Sequence, residues 1–63
     1  MRIKEIRKEK GMTAIELAKA VHTTPVSISR YETGKRMPSI LKVAEIAKVL
    51  GVTVDELIGK KAG

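Results

Sequence analysis

Residues 13–34 read Thr-Ala-Ile-Glu-Leu-Ala-Lys-Ala-Val-His-Thr-Thr-Pro-Val-Ser-Ile-Ser-Arg-Tyr-Glu-Thr-Gly. They encode two short helices and a tight turn. Thr13 is followed three residues later by Glu16, the capping-box spacing in which hydroxyl and carboxylate each take up a free backbone N–H. Thr24 caps the second helix, and Pro25 stands at its first position, where a missing N–H costs nothing and a fixed φ suits the helix. Small Ala18 lies where the second helix must come close, while Ile28 and Tyr31 supply apolar contacts from that helix. Gly34 ends it. The spacing predicts a helix-turn-helix.

The flanking sequence completes a small helical domain. Helices are expected over about residues 2–10, 14–21, 25–33, 40–50 and 54–58, with Gly11, Gly34, Gly51 and Gly59 as stops. Ile3 and Ile6 form the apolar face of the first, and the same stripe runs on through Arg7 and Lys10. Arg7 therefore points to the core side and needs a partner. In the second helix Ala14, Leu17, Ala18 and Val21 share one face, with Ile15, Lys19 and His22 opposite. The fourth follows Pro38-Ser39 and turns Val43, Ile46, Ala47 and Leu50 inward. The fifth opens on a second capping box, Thr53 to Glu56, and carries Val54, Leu57 and Ile58. Residues 60–63 read as a polar, frayed tail. No strand alternation or repeat interrupts this pattern, so an all-α fold in one domain over 1–63 is expected.

Composition narrows the function classes. Sixty-three residues bury only about 60% of the surface their unfolded chain exposes. Cysteine is absent and histidine occurs once, which excludes disulfides, thiolate ligation and an all-protein zinc site. The first seven residues are densely charged and contain no apolar run, so neither a signal peptide nor a membrane span is expected; a cytoplasmic, nucleoid-associated location fits. Thirteen Lys and Arg against seven Asp and Glu give a formal charge of +6. A polyanion partner explains that excess, and so does simple solubility; placement of the charges must separate the two.

With these residues in view, the chain resembles the Cro and lambda-repressor type of helix-turn-helix regulator, the XRE family. The likeness runs from Ile3 to Ile58. Its most specific parts are Lys10-Gly11-Met12-Thr13, Glu16-Leu17-Ala18, Ile28-Ser29-Arg30-Tyr31-Glu32-Thr33-Gly34-Lys35 and Leu50-Gly51-Val52-Thr53-Val54-Asp55-Glu56-Leu57. The resemblance implies a five-helix lambda-repressor-like fold, with helices 2 and 3 as the unit that reads double-stranded DNA. It departs from the family pattern at His22, where glycine is usual, and at Ala14 and Pro25, where glutamine is frequent. Histidine tolerates positive φ better than most residues. Without an amide at Pro25, one means of gripping adenine is missing.

A helix in the major groove reads bases with the face opposite its core contacts. Opposite Ile28 lie Val26, Arg30 and Thr33, with Ser29 beside them. Val26 suits a thymine methyl and Arg30 a guanine edge or a phosphate; the plainer readings are an exposed valine and a solvated charge. Thr13, Thr24 and Ser27 at helix N-termini, with Lys35, Arg36 and Lys42 after the third helix, are candidates for the DNA backbone. Pure capping is the plain alternative for Thr13, and solvation for the lysines.

Arg7 and Glu32 each lie on the inward side of their helices, and the resemblance suggests that they pair. Leu41, Val49, Val54 and Ile58 are candidates for a homodimer face, which would set half-sites about 10 bp apart in a near-palindrome. His22 reads as a surface turn residue.

The leading expectation is a sequence-specific DNA-binding transcriptional regulator, acting as a repressor by occupying an operator. The alternative is an antitoxin-like protein-interaction module on the same fold, with weak or incidental DNA binding. No cofactor is called for. One histidine, no cysteine and no convergent carboxylate pair argue against an enzyme.

Overall fold

In a computed structural model that describes residues 1–59, five helices follow one another: α1 (Ile3–Glu9), α2 (Ala14–Ala20), α3 (Pro25–Thr33), α4 (Ile40–Leu50) and α5 (Val54–Ile58). No strand occurs among the described residues. The expected tail, residues 60–63, lies outside them. The first two helices are shorter than their apolar stripes suggested. α1 gives way at Lys10 to a turn through Gly11 at φ +68°, and α2 stops at Ala20, with Val21 already at φ −108°.

Helix starts follow the local chemistry. The Oγ1 of Thr13 accepts the Glu16 N–H at 3.1 Å, while the Glu16 carboxylate accepts the Thr13 N–H at 2.9 Å. Thr53 and Glu56 repeat this reciprocal cap at α5. Thr24 and Ser39 cap α3 and α4 through the Ser27 and Lys42 N–H groups. α1 alone has no side-chain cap; the Arg2 N–H before it donates to the Leu57 carbonyl at 2.8 Å, tying the first helix to the fifth.

The core draws on all five helices: Ile3 and Ile6, Leu17 and Ala18, Ile28 and Tyr31, Val43, Ile46, Ala47 and Leu50, and Leu57. Val21, just past α2, is also fully buried. α2 packs most extensively on α3, and the close approach of the two is possible because Ala18, 1% exposed, carries no bulk. Val49 departs from expectation. Rather than standing at the surface, it is half-buried against the core, because α4 is covered on its flank as well as on its inner stripe. Full burial of a Leu or Ile side chain stabilises by about 1.5–3 kcal/mol, so these few residues dominate the stability of so small a domain.

Candidate nucleic-acid interface

Between α2 and α3 the chain turns through His22 at φ +56°, the sole non-glycine residue with positive φ among those described. The His22 N–H donates to the Lys19 carbonyl at 3.3 Å and the Thr23 N–H to Ala18 at 2.8 Å, the paired bonds of a Schellman ending. One residue later Thr24 caps α3, its hydroxyl also donating to Ser27 Oγ at 3.1 Å. The turn is thus a short backbone device that delivers α3 with its apolar side, Ile28 and Tyr31, against the core.

That orientation leaves the opposite side of α3 free. Val26 is 59% exposed, and Ser29, Arg30 and Thr33 are exposed with it. Ser27 is half-buried beside the cap. The Thr33 hydroxyl is turned back, donating to the Ser29 carbonyl at 3.0 Å, so its methyl and a lone pair rather than its proton face outward. Gly34, at φ +78°, closes the helix and carries the chain into exposed Lys35 and Arg36, whose N–H groups both return to the Arg30 carbonyl.

The α3 acid, Glu32, does not face outward. Arg7 of α1 donates from Nε to Glu32 Oε2 at 2.9 Å and from Nη1 to the Met12 carbonyl at 3.0 Å. Both side chains are about nine-tenths buried, so the two charges are compensated inside the protein. Arg30, Lys35 and Arg36 have no ion-pair partner among the described residues. From Leu17 to Ala44 the chain carries Lys19, Arg30, Lys35, Arg36 and Lys42 against the single acid Glu32. Of these cations Lys19, Arg30, Lys35 and Arg36 are exposed, and the one acid is taken up by Arg7.

The helix N-termini differ in a way their capping threonines hide. At α2 the Glu16 carboxylate already holds the Thr13 N–H, and this bond, with one from the Thr13 hydroxyl, keeps its carboxyl below the ordinary glutamate range. At α3 the first turn contains no acid, so the positive end of the helix dipole stays unneutralised. Of the two threonines, Thr24 therefore offers the better seat for a phosphate.

Two features escaped the sequence pattern. Lys42 does not extend with Lys35 and Arg36: its ammonium donates to the Val21 carbonyl at 2.6 Å and lies 3.5 Å from Glu45 Oε1. Its 21-residue separation from Val21 left no local signal. The second feature is an apolar groove of about 430 Å³ lined by Met1, Met37, Pro38, Ile40, Val43, Ala44, Val54 and Ile58. Ile40 and Met37, 88% and 74% exposed, belong to this surface, as do the expected Val54 and Ile58. Leu41, 77% exposed, follows Ile40 on the first turn of α4. A usable hint existed, since Ile40, Leu41 and Val43 put more apolar residues in one turn than a single buried face accepts.

The helix-turn-helix family model matches residues 3–57, which takes in all but the last residue of α5. The chain belongs to the XRE-type helix-turn-helix family. It is 38% identical over 58 residues to multiprotein-bridging factor 1c of Arabidopsis thaliana, covering 92% of this chain and 39% of that protein. It is 32% identical over 57 residues to the HTH-type transcriptional activator BcrR of Enterococcus faecalis, covering 90% of this chain and 28% of that one. Against the immunity repressor protein of Bacillus phage phi105 the identity is 30% over 60 residues, 95% of this chain and 42% of the repressor. The chain thus spans well under half the length of these curated relatives. In this family's lambda-repressor-like fold, α2 and α3 are the helix-turn-helix pair. No helix among the described residues is long and apolar enough to cross a membrane.

Proposed function

We propose that this chain is the DNA-reading domain of a transcriptional regulator, which lays α3 in the major groove of double-stranded DNA. The observation that carries the reading is the outer face of α3. It is exposed and free of acid, it is followed by the basic pair Lys35 and Arg36, and the helix is held from behind by a buried Arg7–Glu32 pair. Val26, Ser29, Arg30 and Thr33 face the bases, with Arg30 gripping a guanine edge and Val26 touching a thymine methyl. Thr24, Ser27, Lys35 and Arg36 meet the phosphates, with Thr13 a weaker candidate beside the Glu16 carboxylate. Occupying an operator that overlaps a promoter makes the domain a repressor, as the name of its phage relative indicates for that protein.

The domain acts as a homodimer on a near-palindromic operator, with a second copy seated on the apolar groove around Ile40, Val54 and Ile58. That groove is lined by apolar side chains alone, so two copies of a chain with formal charge +6 can meet there without opposing charged side chains. A second reading has one observation in its favour. The same groove could hold a different protein, in keeping with the bridging named for the Arabidopsis relative.

Selection from a randomised duplex pool tests the reading. An enriched palindrome with half-sites about 10 bp apart is expected. Arg30→Ala should then lose about 1–3 kcal/mol of discrimination at one base pair. A pool that yields no motif, with weak binding that vanishes at moderate salt, would leave only nonspecific charge and favour the protein-partner reading.

A further inference from the structure

Four of the five helices end in the same way. Gly11, His22, Gly34 and Gly51 each take positive φ and donate to the carbonyl three residues back, while the next residue donates to the carbonyl five back. Three of these endings use glycine, for which the left-handed region carries no steric cost. The exit of α2 uses histidine, which does carry one. At that exit a side chain from elsewhere in the chain intervenes. The Lys42 ammonium, on the first turn of α4, donates to the Val21 carbonyl at 2.6 Å. Its aliphatic stem is laid down with the side chain only 21% exposed, and Glu45 stands 3.5 Å from the same ammonium.

The Val21 carbonyl belongs to the peptide that joins Val21 to His22. Its orientation sets ψ of the first residue and φ of the second, the torsions that determine how α3 leaves α2. A cation there also faces the negative end of the α2 dipole. The other end of α2 is held in the same manner, through Arg7 and the Met12 carbonyl.

We infer that Lys42 is a positioning residue for DNA reading: it clamps the strained α2–α3 turn to α4 and so sets the pose of α3, without itself contacting phosphate. The inference rests on the DNA reading proposed above. Specific recognition depends on the pose of α3, whereas nonspecific attraction depends on exposed charge. Loss of the clamp should therefore lower the first and spare the second.

Lys42→Met and Lys42→Arg are compared with wild type in two measurements. The first is amide hydrogen exchange of the free protein at Thr23, referred to Val52, the matching amide of the α4–α5 joint, whose local opening leaves the Lys42 bond intact. Lys42→Met should lower Thr23 protection roughly tenfold relative to Val52, the size of a bond to a charged donor, and Lys42→Arg should restore most of it. The second is binding to selected and to random duplex DNA across salt. Lys42→Met should reduce the specific-to-nonspecific ratio roughly tenfold while leaving the salt slope unchanged.

Unchanged relative protection at Thr23 overturns the clamp, with or without DNA. A uniform loss of affinity, with the slope smaller by about one, overturns it in favour of a phosphate contact. If wild type selects no sequence, the DNA reading fails on its own, and the exchange ratio alone decides whether Lys42 holds the turn.

Discussion

The α2–α3 and α4–α5 joints are built to one plan and differ most at the residue that takes positive φ. Each has a left-handed residue, one spacer and a capping threonine: His22-Thr23-Thr24 in the first, Gly51-Val52-Thr53 in the second. The backbone bonds correspond, Thr23 to Ala18 and Val52 to Ala47 at 2.8 and 3.0 Å. At Gly51 the joint stands on its own backbone and its capping box. With histidine it coincides with a cation that reaches across from another helix. The starts differ as well: a carboxylate fills the N-terminus of α5, and none fills that of α3. The joint that serves the candidate DNA face is thus the more strained and the more dependent on distant residues, while its twin is self-contained.

The most severe way to break this contrast is to remove the brace at the other end of α2. Arg7→Met strands the Glu32 carboxylate, 10% exposed, and frees the Met12 carbonyl. A loss of about 3 kcal/mol in urea denaturation is expected. A loss under about 1 kcal/mol would mean that the pair behaves as a surface ion pair.

Next in size, Gly51→His imposes the first joint's residue on the second. A Cβ at Gly51 meets nothing within 4 Å, so the cost is backbone strain alone, about 1 kcal/mol by thermal denaturation. The reverse change, His22→Gly, relieves strain at φ +56° but adds entropy to the unfolded chain, for a net gain of about 0.5 kcal/mol. If both substitutions destabilise, His22 makes a contact that its exposed position conceals.

The smallest effect concerns the helix starts. The Glu16 carboxyl is held below the ordinary glutamate range by the Thr13 N–H and hydroxyl. A folded value depressed in this way contributes stability above the unfolded value, and that contribution is lost as pH falls through the depressed one. Melting temperature followed from neutral into acid should therefore decline less in Glu16→Gln than in wild type. Parallel declines would remove this cap from the acid limb.

What could be read from the residues alone divides along the same line. Helices, caps and stops were legible because Thr-x-x-Glu, Thr-Pro and glycine act within a turn of the chain. The inward direction of Arg7 was legible from its place on the Ile3–Ile6 stripe, and Glu32 from its position one turn after Ile28. Lys42 was not, because its partner lies 21 residues away and depends on the angle at which α4 crosses the turn. The half-burial of Val49 and the exposure of Ile40 have a related cause. On an 11-residue helix packed at a small core, a residue near the middle or end is covered by neighbours, whereas the first turn projects beyond them. Side-chain periodicity does not register that edge.

The bond from the Arg2 N–H to the Leu57 carbonyl joins the start of the first helix to the end of the last, and Ile3 and Leu57 are both fully buried. Contacts elsewhere are mostly local, which favours rapid folding, yet this closure spans nearly the whole domain. During synthesis from the N-terminus, the first four helices emerge with the Arg2 N–H still lacking its partner. The ribosome must deliver α5 before the domain can close, so the last few codons of the core govern when the nascent chain becomes a folded one.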